Sequence, residues 1–72
     1  MHTKNTERRQ QIINYVNLYR SKAGVSPTVR EIASGVGLSS VSTMHGYLQR
    51  MSRDGLIEYV PYEARSIVVK SA

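Results

Sequence analysis

Residues 40–46 bring together Ser40, Ser42, Thr43, His45 and Gly46, whose short hydroxyl and imidazole side chains can both donate and accept hydrogen bonds. Carried on one helix, such groups match the donors, acceptors and thymine methyls that base edges expose in the major groove of double-stranded DNA. Arg50 and Arg53 follow one and two turns later, and Arg30 precedes them. These arginines could neutralise phosphates, with Arg65 joining from a later loop and Ser39 and Gln49 hydrogen-bonding to the DNA backbone. Such contacts add affinity and salt dependence without sequence information. The alternatives are a merely polar, cap-rich surface and arginines that are solvated or paired within the molecule.

Two glycines sharpen the question. A glycine inside an exposed helix costs about 1 kcal/mol relative to alanine, so Gly46 needs a compensating role. Close approach of the helix backbone to a DNA strand would supply it, and relief of crowding against a neighbouring element is the alternative. For Gly35, packing is the expectation.

Catalysis has no comparable constellation. The chain shows no nucleophile set beside a base, no paired carboxylates and no glycine-rich phosphate loop. His2 and His45 are far apart and lack the spacing of a metal pair. No enzyme activity, no cofactor and no metal are expected.

The elements that must position these residues follow from periodicity. Thr6 can cap a first helix over residues 6–23, with Ile12, Val16, Tyr19 and Ala23 on one face and Gly24 at its end. Pro27 forbids immediate re-entry. Thr28-Val29-Arg30-Glu31 is a capping box that opens a second, short helix carrying Val29, Ile32, Ala33 and Val36 and ending at Gly37, which leaves Leu38 to plug the turn. Ser39 or Ser40 can cap a third helix along which Met44, Leu48 and Met51 repeat, with Tyr47 beside them, until Asp54-Gly55. The period then changes: residues 56–60 and 66–69 read as strands of a hairpin, joined by Pro61-Tyr62-Glu63-Ala64-Arg65.

A short helix, a glycine turn and a longer helix form a helix-turn-helix, whose second helix enters the major groove. An ordinary pair of packed helices is the alternative. The fold class expected is mainly α with a small β-hairpin: a winged helix-turn-helix of three helices plus a two-stranded antiparallel wing, with Arg65 and Tyr62 in the wing loop.

The chain has 72 residues, a length suited to one domain spanning residues 1–72. Without cysteine, neither disulfides nor thiolate zinc can staple it. Ten Lys and Arg against five Asp and Glu give a net charge of +5, which attracts polyanions, though anionic membranes and acidic proteins share that chemistry. No apolar run approaches the roughly 20 residues that span a bilayer, and the start lacks the apolar stretch of a secretory signal, so a soluble, unexported chain is expected.

The strings Pro27-Thr28-Val29-Arg30-Glu31-Ile32-Ala33, Val36-Gly37-Leu38-Ser39-Ser40 and Ser42-Thr43-Met44-His45-Gly46-Tyr47-Leu48 closely resemble the amino-terminal domain of LexA repressors. The resemblance runs from about residue 6 to residue 69, and Arg65-Ser66-Ile67 is similar to that family's wing return. It implies a winged helix that binds a palindromic operator as two copies and represses genes of the DNA-damage (SOS) response. Family base-reading positions fall on Ser40, Ser42, Thr43, His45 and Gly46. The string Ser42-Thr43-Met44-His45-Gly46 resembles the Gram-positive branch, which reads GAAC and GTTC separated by four bases. Val41 departs from the family, which often has Pro or a small residue there. The self-cleaving carboxy-terminal domain of that family lies outside these residues. Two origins are therefore expected, an excised domain or a stand-alone regulator of the kind a phage or mobile element encodes, acting in the cytoplasm of a bacterial cell or infected host. The partners expected are an operator duplex, a second copy on DNA, and a host LexA-type repressor. A protein-interaction module docking on a host repressor or polymerase is the competing reading. RNA binding is disfavoured because no exposed paired aromatics offer base stacking.

Overall fold

A computed structural model describes residues 3–61 and 63–70, with side chains from Glu7 onward. His2 and Tyr62, which figured in the metal and wing readings, lie outside the described residues.

Three helices precede a small antiparallel sheet: α1 (Thr3–Ala23), α2 (Val29–Gly35), α3 (Val41–Arg53), β1 (Ile57–Glu58) and β2 (Val68–Val69). Helix α1 begins at Thr3, so Thr6 lies inside the helix and is not its cap. Ile12 and Val16 are fully buried and Tyr19 is half-buried, as the spacing requires, but Ala23 is exposed. The α1 stripe thus faces the core only through its middle turns.

The α2 capping box forms: the Glu31 backbone N–H donates to Thr28 Oγ1 at 3.1 Å, and the Thr28 backbone N–H donates to Glu31 Oε1 at 2.8 Å. At the far end Gly37, at φ +80°, turns the chain through a Schellman closure. The Leu38 N–H bonds to the Ala33 carbonyl at 2.8 Å and the Gly37 N–H to the Ser34 carbonyl at 3.3 Å. Leu38 is carried onto the core by this turn. Gly55, at φ +84°, repeats the motif after α3, with Leu56 N–H on the Met51 carbonyl at 2.9 Å. Each reversal therefore delivers a leucine to the apolar cluster.

That core is Ile12 and Val16 from α1, Ile32 and Ala33 from α2, Met44, Leu48 and Met51 from α3, and Ile57 and Ile67 from the hairpin, all 0–2% exposed. The α1–α2 connection is tied to the hairpin by Ser26, buried, whose Oγ donates to the Ile67 carbonyl at 2.5 Å. Arg20 Nη1 in turn donates to the same Oγ at 2.6 Å.

The strands are shorter than their sequences predict. Ile57 pairs with Val69 and Glu58 with Val68, and the Lys70 N–H adds a bond to the Leu56 carbonyl at 3.0 Å. Beyond Glu58 the ladder gives way to a side chain: Ser66 Oγ accepts from the Val60 N–H at 3.1 Å and donates to the Val60 carbonyl at 3.0 Å. One hydroxyl thereby satisfies both backbone groups that a further β-pair would have used.

Candidate nucleic-acid interface

Helix α3 is capped by Ser40, which is extended at φ −111°, ψ 120° and accepts the Thr43 N–H on its Oγ at 3.2 Å. Of the two serines foreseen as caps, Ser40 takes the role and Ser39 stays exposed. Ser40 is thus partly committed within the molecule, its hydroxyl hydrogen and one lone pair being left for an outside group.

At about 100° per residue, positions 42, 43, 45, 46, 49, 50 and 53 share one side of α3, opposite buried Met44, Leu48 and Met51. Ser42, Thr43, Gln49, Arg50 and Arg53 are exposed; His45 is half-buried at the margin, and Gly46, in the middle of this side, is half-buried beside the Arg50 guanidinium. The structure brings the hydroxyl and imidazole groups to the first turns and the cations to the last, on one surface.

Among the described residues, a Cβ placed on Gly46 would meet the Arg50 guanidinium, with Nη1 at 3.3 Å, and no neighbouring element crowds it. The packing alternative for this glycine finds no contact among the described residues. Gly35 is the opposite case, because a Cβ there would run into the Tyr15 ring. Packing accounts for Gly35, as the sequence suggested.

The cations divide into two groups. Arg30 is exposed in the first turn of α2. Arg50 lies over the Tyr47 ring, 5.3 Å from its centroid, and Arg53 is 72% exposed while touching Asp54 Oδ1 at 3.4 Å. Asp54 is shared with Arg9, whose Nη1 donates at 2.9 Å; that hydrogen bond, helped by the Arg53 charge, holds the carboxyl below its ordinary range.

Arg65 departs from its expected place. Instead of extending from the wing, its Nη1 donates to the Ser26 carbonyl at 2.9 Å, to Glu31 Oε1 at 3.2 Å and to Tyr19 Oη at 3.3 Å. The hydrogen bond with Tyr19, then that with Glu31, raises its pKa further. Arg65 adopts φ +59°, a left-handed backbone that few side chains accept, and this sends its guanidinium back toward α1 and α2. The Glu31 carboxyl, for its part, is lowered first by the Thr28 backbone N–H and then by Arg65.

Three contributors escaped the sequence reading. Tyr59, just past β1, places its Oη in hydrogen-bond contact with His45 Nδ1, the rings being tilted 46° with centroids 5.9 Å apart. Tyr47 underlies Arg50. Glu31, read only as a capping residue, also receives Arg65. The alternation through Ile57 and Glu58 could have placed Tyr59 on the inner face of the hairpin, but nothing local to the sequence pairs it with His45.

The LexA DNA binding domain model matches residues 2–66. A LexA repressor of Ligilactobacillus salivarius is 43% identical over 70 residues, covering 97% of this chain and 34% of that protein. LexA repressors of Acetivibrio thermocellus and Bacillus mycoides are 39% and 41% identical, over 96% and 92% of the chain and 32% of each relative. The chain therefore spans about a third of the length of these relatives. With the match running through all three helices and into the hairpin, this three-helix, two-stranded winged fold belongs to the LexA DNA-binding domain family.

Proposed function

We propose that this chain is a sequence-specific double-stranded DNA-binding transcriptional regulator, a LexA-like repressor that reads a palindromic operator through α3 and carries out no chemistry. One observation carries the reading. The exposed side of α3 begins with Ser42, Thr43, His45 and an uncrowded Gly46 and continues into Gln49, Arg50 and Arg53. Ser40, Ser42, Thr43 and His45 face base edges, Gly46 admits a DNA strand close to the helix, and Ser39, Gln49, Arg30, Arg50 and Arg53 hold the backbone. Arg65 acts indirectly, by fixing the wing against α1 and α2.

Residues 1–72 act as one domain, and a single helix in one groove segment gives a small interface of roughly 600–1,000 Å². One copy binds weakly, and two copies on a palindrome gain from high effective concentration. Free protein is therefore a monomer at micromolar concentration and loads two per symmetric duplex. From the resemblance to LexA repressors drawn from the sequence, control of DNA-damage genes in a bacterial or phage-infected cytoplasm is the setting proposed.

Selection of bound duplexes from a random pool, followed by a salt titration on the winner, tests this. Affinity should fall with a slope of about −0.9 per phosphate neutralised, hence about −2.7 per copy if Arg30, Arg50 and Arg53 each take one. A flat salt response, or no enriched sequence, refutes it.

A second reading, docking on a host repressor or polymerase, is favoured by one feature. An open cleft of about 400 Å³ between α1 and α2 is lined by Gln11, Asn14, Tyr15, Leu18, Gly35 and Val36, with Leu18 55% exposed. Retention of such a protein with no duplex selectivity would move the assignment there.

A further inference from the structure

We propose that Tyr59 is a positioning residue that decides which base edge His45 can read. The inference rests on the reading of α3 as the helix that meets DNA. Tyr59 is half-buried and packed against the core from the hairpin, whereas His45 sits on the margin of the exposed side of α3. Fourteen residues apart in sequence, they meet through Tyr59 Oη and His45 Nδ1. Among the described residues Nε2 has no hydrogen-bond partner, so it is the ring nitrogen offered to an outside group. Its helical neighbours at three and four residues are Ser42 and Gln49, which are exposed.

The chemistry of the pair fixes the proton. A phenol O–H is a better donor than its oxygen is an acceptor, and the bare nitrogen of a neutral imidazole is a strong acceptor. Tyr59 therefore donates to Nδ1, and the imidazole hydrogen resides on Nε2. An imidazolium also carries a hydrogen on Nε2, so His45 presents a donor in either charge state. A donor at that atom pairs with guanine O6 or N7, adenine N7 or thymine O4, and rejects the amino group of cytosine. Sequence preference at one base pair is then set by a residue that itself belongs to the hairpin.

The test uses Tyr59→Phe, which keeps the ring and removes the hydroxyl. Long-range ¹H–¹⁵N spectra of the free chain, with His45 assigned by the loss of its signals in His45→Ala, should show the Nε2–H tautomer in the unaltered protein. Tyr59→Phe should show a mixture of tautomers. On the selected duplex and its single-base variants, Tyr59→Phe should lose about 5- to 10-fold of discrimination at one base pair and leave the others unchanged. In a His45→Ala background Tyr59→Phe should do nothing to base preference, which separates positioning from a general loss of fold. An Nδ1–H tautomer in the unaltered chain, or unchanged discrimination in Tyr59→Phe, overturns the proposal while the DNA reading stands. Failure of the unaltered chain to select any duplex removes both.

Discussion

Replacing Gly46 by alanine adds one methyl group to the side of α3 that carries no core contact. Helix propensity alone favours the change by about 0.8–1.0 kcal/mol, since Gly46 lies mid-helix. The opposing effect is small. The new Cβ stands 3.3 Å from Arg50 Nη1, so the guanidinium must give by a few tenths of an ångström. At worst this costs the cation–π contact with Tyr47, about 0.5 kcal/mol at an exposed site. The net gain is about 0.3–1 kcal/mol, or a rise in Tm of about 1–8 °C for a domain of this size. DNA binding should move the other way, since a methyl group on a helix pressed against a strand holds the two apart. Affinity for the selected duplex should drop at least 10-fold, and Gly46→Glu should abolish it. Thermal melts and fluorescence anisotropy on the same preparations give both numbers. A stabilised variant with unchanged affinity would refute the close-approach argument. A destabilised one would show that the glycine serves the fold.

Gly35→Ala should behave oppositely, because its methyl group runs into the Tyr15 ring; overpacking outweighs the helix gain, and a net loss of roughly 1–2 kcal/mol should appear in urea unfolding. Ser40→Ala should lower stability by about 1 kcal/mol through the lost cap on the Thr43 N–H, with a melt as the check. Glu31 and Asp54 have pKa values lowered by folding, so their contributions are fully present above their ordinary values of 4.5 and 3.8 and are lost as pH falls through the lowered ones. Glu31→Gln should therefore be less stable than the unaltered chain at neutral pH, with the difference closing on acidification below about pH 4.5. A difference that stays constant down to pH 2 would contradict this origin.

The legible parts of the molecule are those specified by neighbours in sequence. Thr28 and Glu31 announce the start of α2 from three residues apart, and Gly37 and Gly55 mark reversals because a left-handed backbone must be supplied locally. Met44, Leu48 and Met51 gave the buried side of α3, and hence its exposed side, by period alone. What stayed hidden depends on contacts that no period encodes. Arg65 reaches Glu31 across 34 residues, and its positive φ sits on a residue type that gives no hint of it. Ser66 ends the ladder early by bonding across the hairpin, so two β-rich runs yield only two paired residues each. The beginning of α1 was misplaced because Thr6 is a competent cap wherever a helix chooses to start there, and this helix starts a turn earlier.

The double use of Glu31 has a consequence for how the molecule opens. Its carboxylate closes the first turn of α2 through Thr28 and receives the guanidinium of Arg65 from the far end of the chain. Ser26, one residue before Pro27, is held by the Ile67 carbonyl and by Arg65 through its own carbonyl. A wing of two paired residues would ordinarily be a separate, weakly protected unit that frays by itself. Here, lifting it breaks the pairing that also anchors the start of the helix-turn-helix. Amide protons in β1 and β2 should therefore exchange along with those at the beginning of α2, as one opening event rather than two. The wing and the start of the helix-turn-helix are in this way held at a fixed spacing as one unit.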